Sequence, residues 1–180
     1  IAILAAAVGY SLMSFIMTAT PLQIVNVCKL GDEVSATVIQ WHVIAMFAPS
    51  FFTGFIIMKF GNKNVMLVGV LLYVISISFT IIGQTFLNFW ISLFLCGLGW
   101  NLLYVGGSDI IAKSASPEER PKVQGVTDFI IFTFVATGSF LAGVLHTSLG
   151  WELMMIYTSV PIIILFVSII VIKPHKLSLR

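Results

Sequence analysis

The sequence predicts an all-α polytopic membrane protein of six transmembrane helices, and three observations carry that prediction. Hydrophobic residues make up 59% of the 180-residue chain and charged ones only 9%, too little polar surface to cover a soluble domain of this size. The apolar residues gather into six runs, at about 3–27, 34–58, 65–82, 87–112, 123–145 and 152–172. Each is near the roughly 20 residues with which an α-helix crosses a hydrocarbon core about 30 Å thick. Finally, eight of the nine lysines and arginines fall on one side once the runs are threaded through a bilayer. Lys59 and Lys63 follow the second run, Lys113, Arg120 and Lys122 the fourth, and Lys173, Lys176 and Arg180 the sixth, whereas only Lys29 lies opposite. The positive-inside rule makes that side, and both termini, cytoplasmic. The net charge of +2 is thus a topology signal, so the expected partner is the lipid bilayer and no nucleic acid.

Taken in order, the first run is too long for a signal-peptide core, and no basic segment precedes it; it reads as a retained helix whose upstream flank is missing. Ser11, Ser14 and Thr18 recur along it at helical spacing, followed by Thr20, Gln23 and Asn26 toward the outer end. Cys28 at that end and Cys96 inside the fourth run sit at different depths, so no disulfide is expected between them. The second run holds His42, the one histidine well inside a span, beside Gln40 and Trp41. An imidazole there suits either proton coupling or a neutral, hydrogen-bonded structural role. Pro21, Pro49 and Pro161 interrupt three runs and predict kinks.

The fourth run is the most polar. Gly97, Asn101, Tyr104 and Ser108 recur at intervals of four, three and four, which places them on one helical stripe. At about 1.5 Å per residue from Asn88, Asn101 lies roughly 20 Å deep, near the midplane. Trp100 is deeper than an interfacial tryptophan, and stacks on a substrate ring or packs; Trp90 and Trp151 stand at the outer ends of their runs, where indoles anchor to the interface. Ser139 and Gly143 form a small-xxx-small pair on the fifth run, for close helix approach or a moving contact. The loop 113–122 carries a helix-start signal at Ser116 and Pro117 and predicts a short surface helix. The outer connections 28–33, 83–86 and 146–151 are short, so successive helices are antiparallel neighbours in one bundle, and His146 is expected in solvent.

Residues 54–63 read G-F-I-I-M-K-F-G-N-K, after the second helix of a six-helix unit. This resembles the G-x-x-x-D-R-x-G-R-K loop of the major facilitator superfamily. Gly54, Gly61 and Lys63 match and Lys59 replaces an arginine, while Met58 and Asn62 depart from the pattern. That degeneracy, with the P-E-E-R-P-K-V-Q-G run over 117–125, is more typical of the family's carboxy-terminal half. The resemblance spans all six runs and implies one major-facilitator-type bundle in a bacterial inner (plasma) membrane. A second six-helix half is then required, either upstream on the same polypeptide or from a second copy in a homodimer; a start inside an apolar run favours the former.

The resemblance further implies half of a secondary-active transporter that moves a small solute by alternating access, with substrate near the midplane. It points the stripe of Asn101, Tyr104 and Ser108, with Trp100, toward substrate, joined by Thr18, Gln23 and His42. It also assigns Gly54, Lys59, Gly61 and Lys63 to a cytoplasmic gate in which Lys59 meets Asp109; Asp128 lies at the same end. An oligomeric channel is the alternative, although the chain has no filter-like sequence or charged ring. An intramembrane enzyme is weaker still. Ser108 in G-G-S has no histidine at its depth, no ligand cluster suits a metal, and no Gly-rich loop suits a phosphate, so neither cofactor nor metal is expected.

Overall fold

The computed structural model describes residues 2–171, and that range is helical apart from its connections. Span one is α1 (Ala2–Pro21), continued by a π-helical segment, Leu22–Val27. Span two is α2 (Asp32–Phe47) followed by α3 (Ser50–Phe60), with a 45° bend between them. Unbroken helices α4 (Asn62–Ile82), α5 (Phe86–Ser114) and α6 (Arg120–Leu149) form spans three to five, and α7 (Trp151–Tyr157) with α8 (Ser159–Val171) forms span six. Five of these stretches are long and apolar enough to cross a membrane, and the bent pair makes a sixth. The basic tail with Lys173, Lys176 and Arg180 lies outside the described residues.

Proline explains the interruptions, because it supplies no N–H to the helical ladder and its ring crowds the preceding turn. Pro21 ends α1 and hands over to the π-helical turn; Pro49 separates α2 from α3; Pro161 lies one turn beyond the break at Thr158. Two reversals take a single residue each. Gly61 (φ 79°) joins α3 to α4 and Gly150 (φ 75°) joins α6 to α7, a conformation that costs glycine little and other residues more. The opposite end of α4 is followed by Thr85, which caps α5 in a reciprocal box with Asn88.

The connection after α5 differs from its expected form. No separate surface helix forms over 113–122: α5 continues to Ser114, residues 117–119 make a turn, and α6 begins at Arg120. The Ser116 carbonyl accepts from the N–H groups of Glu119 and Arg120, each at 3.0 Å, so the start signal opens span five itself. Pro121 in the first turn of α6 is compatible with that role.

Helix α5 is the hub of the bundle, packing on α4, α1 and α2, while α6 rests chiefly on α1, and α8 on α4 and α1. Its glycines make this possible. A Cβ at Gly97 would lie 2.6 Å from the His42 carbonyl on α2, one at Gly99 2.9 Å from the Gly69 carbonyl on α4, and one at Gly107 3.1 Å from the Ala2 carbonyl on α1. The close approach of α1 and α6 occurs at Gly138, where a Cβ would meet the Ser11 hydroxyl at 2.5 Å; Gly143, expected to share that task, has open space around it. Beside Gly138, the Ser14 and Ser139 hydroxyls bond at 2.6 Å.

Buried polar side chains tie the same helices together, as a medium without water requires. The Tyr73 hydroxyl donates to the Gly9 carbonyl at 2.7 Å, and the Ser76 hydroxyl to the Ser92 carbonyl at 2.8 Å. Trp151 is not an exposed interfacial anchor. It is 4% exposed, its indole N–H donates to the Thr80 carbonyl at 3.2 Å, and its ring meets Phe89 edge-on at 5.7 Å. The single-residue turn at Gly150 swings this indole inward.

Gly97→Ala should destabilise the bundle by roughly 1–3 kcal/mol, because the new methyl must push two backbones apart. Gly143→Ala should change it by less than about 0.5 kcal/mol. Thermal unfolding of the purified protein in detergent compares the two, and equal melting temperatures would contradict the close-packed α2–α5 crossing.

Candidate functional site

Five aromatic rings from four spans converge near the middle of the bundle. Trp100, the central residue of α5, lies parallel to Tyr104 at a centroid distance of 5.1 Å and an interplanar angle of 9°. Tyr10 of α1 meets Trp100 edge-on at 5.0 Å and Tyr104 at 5.4 Å. Phe47, the last residue of α2, meets Trp100 at 5.8 Å, and Phe132 of α6 meets Tyr10 at 5.9 Å. Exposure grades across the group: Trp100 is 4% exposed, Tyr10 and Tyr104 are half-buried, and Phe47 and Phe132 are 57% and 53% exposed. The result is a floor of indole and phenol flanked by two open phenylalanines. The buried Trp100 Nε1 donates to no protein group among the described residues.

Polar side chains gather beside the rings. Tyr10, Tyr104 and Ser108 are half-buried here, with Ser108 and Asp128 close to the Tyr104 phenol. Polar groups at membrane depth face protein or water, since exposure to hydrocarbon costs several kcal/mol per unsatisfied group. Flat rings with phenol and indole edges suit a conjugated, planar solute, which stacks on π faces and bonds at its rim.

The residues expected to touch substrate separate in the structure. Tyr104, Trp100 and Ser108 belong to the aromatic face, and Thr18 is half-buried on α1. Asn101 turns the other way. It is fully buried against span two, where its Nδ2 donates to the Met46 carbonyl at 2.7 Å and the Ser50 hydroxyl at 2.6 Å. Its Oδ1 lies 2.6 Å from the Thr53 hydroxyl. Both amide hydrogens are therefore spent inside the bundle. His42 is also fully buried between α2 and α5, its Nδ1 at 2.7 Å from the Leu93 carbonyl and its Nε2 without a partner among the described residues.

Gln23 occupies the far end of span one, on the π-helical segment. Its Nε2 donates to Gln84 Oε1 at 2.6 Å and its Oε1 lies 2.8 Å from His146 Nε2. His146, expected in solvent, is half-buried in this network because the π-helical turn presents Gln23 to it. A cleft of about 450 Å³ opens beside these residues and Trp151.

At the opposite, lysine-bearing end, the expected Lys59 to Asp109 contact is not formed. The Lys59 ammonium lies 5.3 Å from the Phe60 ring centroid, and Asp109 pairs with Lys113, one turn along α5. Asn62 supplies the bridge instead, donating from Nδ2 to the Gly106 carbonyl and to Asp109 Oδ2, both at 2.9 Å. Gly61 provides the positive φ that turns Asn62 onto α5, Gly54 has open space around it, and Lys63 donates to the Ile170 carbonyl at 2.6 Å. Tyr10, Phe47, Phe132 and Asn62 were not singled out from the sequence. Tyr10 is the only aromatic hydroxyl in span one, and Asn62 sits at a motif position; either signal points to them.

A family model described as Major Facilitator Superfamily matches residues 1–179. The chain is 43% identical over 144 residues to the riboflavin transporter RfnT of Brucella anthropi, an alignment covering 80% of this chain and 36% of that protein. Two Bacillus subtilis proteins described as uncharacterized MFS-type transporters are also similar. YdeG is 32% identical over 74% of this chain and 31% of its own length, and YddS 33% identical over 76% and 32%. The chain thus spans about a third of the length of the curated relatives it matches.

The geometry at the lysine-bearing end predicts that Asn62 and Asp109 are coupled and Lys59 and Asp109 are not. In double-mutant cycles on thermal stability, Asn62→Ala with Asp109→Asn should show an interaction of about 0.5–2 kcal/mol. Lys59→Ala with Asp109→Asn should be additive within about 0.5 kcal/mol. Strong coupling in the Lys59 cycle would restore the charge gate.

Proposed function

The chain belongs to the major facilitator superfamily, and from that membership we propose that it forms one six-helix half, the carboxy-terminal one, of a secondary-active transporter. A second six-helix half closes over its aromatic face, and the substrate is a small planar heteroaromatic solute held between the two. The observation that carries this reading is the ring cluster of Tyr10, Phe47, Trp100, Tyr104 and Phe132, open on one side near the middle of the helices that supply it. Transporter sites of this kind lie near the midplane, where two bundles meet and rock around the bound solute. The relative named as a riboflavin transporter makes a flavin the first solute to test, because an isoalloxazine ring has the flatness and polar rim that the cluster accommodates.

The end bearing Lys59, Lys63, Lys113, Arg120 and Lys122 is assigned to the cytoplasm of a bacterial inner membrane, against Lys29 alone at the other end. Alternating access then exposes the aromatic face first to one side and then to the other.

Expressed from its complete reading frame in a riboflavin-auxotrophic bacterium, the protein should support saturable uptake of labelled riboflavin, competed by flavins and not by aliphatic solutes of similar size. Tyr104→Ala should raise the half-saturating concentration roughly twofold to tenfold, the range of about 0.5–1.5 kcal/mol for one lost aromatic pair. Non-saturating flux would favour a channel, and unchanged uptake in the variant would move the substrate off this face. Cysteines placed at positions 63 and 119 should react only from the cytoplasmic side of oriented vesicles; labelling solely from outside would invert the topology.

A further inference from the structure

We propose that Asn101 is a positioning residue: it clasps the two halves of the broken span two, and through them fixes the Phe47 wall of the aromatic site. The inference rests on the reading of that site as substrate-facing. Pro49 lacks the N–H that would continue the ladder, so local bonding stops with the Ala48 N–H on the Ile44 carbonyl and resumes with the Phe52 and Thr53 N–H groups on the Pro49 carbonyl. Asn101 spans the gap. One of its amide hydrogens goes to the Met46 carbonyl in the last turn of α2, the other to the Ser50 hydroxyl at the first residue of α3. Its carbonyl oxygen faces the Thr53 hydroxyl one turn further on, and both Asn101 and Thr53 are fully buried.

The break in span six shows what an unclasped interruption looks like. There the Thr158 N–H and hydroxyl bond to carbonyls of the preceding turn, including Met155, and among the described residues no other helix takes part. Span two has similar local bonds, from the Thr53 N–H and hydroxyl to the Pro49 carbonyl, and adds a side chain from α5, the same helix that carries Trp100 and Tyr104. Phe47 follows Met46 directly and ends α2, with its ring 5.8 Å from Trp100. The clasp therefore fixes where α2 stops relative to the indole, and with it the width of the site on the span-two side. Asn101 itself has no amide hydrogen left for a solute, so its influence on binding passes through the bend.

The complete protein, with its native cysteines replaced, Cys28→Ser and Cys96→Ala among them, is spin-labelled at position 36 on α2 and position 58 on α3, both exposed, and reconstituted in lipid nanodiscs. The unmodified clasp should give one narrow distance by double electron–electron resonance. Asn101→Ala should broaden it, and so should Ser50→Ala combined with Thr53→Val, a pair that retains Asn101 and keeps the experiment decisive where Asn101→Ala does not fold. In uptake assays Asn101→Ala should raise the half-saturating concentration about fivefold with little change in maximal rate. Adding Phe47→Ala should not multiply that effect, since both act on one wall. Distance distributions that superimpose on the parent, or effects of Asn101→Ala and Phe47→Ala that multiply, would overturn the clasp. Absence of flavin uptake by the parent would defeat the functional reading alone, because the distance measurement judges the clasp without a substrate.

Discussion

The bundle depends on a helix that three neighbours must touch at backbone distance. Lipid tails are as apolar as leucine, so no hydrophobic force presses one membrane helix on another, and cohesion comes from close van der Waals packing and interhelical hydrogen bonds. Helix α5 meets that demand by presenting Gly97 to α2, Gly99 to α4 and Gly107 to α1. At Gly99 and Gly69 the accommodation is mutual, since a Cβ on either would press on the other's carbonyl. Close approach then brings backbone carbonyls within reach of short polar side chains, and Ser76, Tyr73 and Asn101 reach the main chain of neighbouring helices at 2.7–2.8 Å.

The aromatic face follows from the same arrangement. Between Gly97, which seats α2, and Gly107, which seats α1, α5 carries large side chains as well, and Trp100 and Tyr104 stack there one turn apart. Their rings fill the space between α2 and α6, two elements with little direct support from one another, so Phe47 and Phe132 stand open at the edges. A site assembled from four spans in this way responds to the tilt of any of them. Helix α6 is tied to α1 by Ser11 with Phe134 and Ser14 with Ser139, so Tyr10 and Phe132 sit on helices that are fastened to each other.

Hydropathy and the distribution of lysine and arginine made the six-span organisation legible, because each span is one long apolar run and each basic loop is short. Motif residues Gly54, Gly61 and Lys63 pointed to the family that the whole-chain match establishes. The orientation of individual polar residues was not legible. Gly97, Asn101, Tyr104 and Ser108 fall within a narrow arc of a regular helix, and periodicity alone assigns them one environment. The structure divides that arc, since span two bends at Pro49 and covers Asn101 while leaving Tyr104 and Ser108 half-buried. No helical wheel of α5 contains the path of its neighbour. The Asn62 to Asp109 contact was missed, and a Lys59 to Asp109 pairing expected in its place, for a similar reason: the reversal at Gly61 brings Asn62, and not Lys59, against α5.

The two ends of span one and span two illustrate how interruptions acquire different uses. At Pro21 the chain stays helical by widening to a π-turn, which offers Gln23 to both Gln84 and His146 and so joins spans one and five to the connection after span three. At Pro49 the chain bends, and the Met46 carbonyl and the Ser50 hydroxyl are met from outside the span, by Asn101. Each proline removes the same backbone donor, yet one interruption gathers neighbours around a polar side chain while the other receives one. At Pro49 a backbone carbonyl, that of Met46, is met from another span, whereas at Pro21 it is the Gln23 side chain that joins the neighbours. The relation between spans at these two breaks is set by two side-chain amides, and the close approach of α2 at Gly97 keeps that of Asn101 within reach of span two.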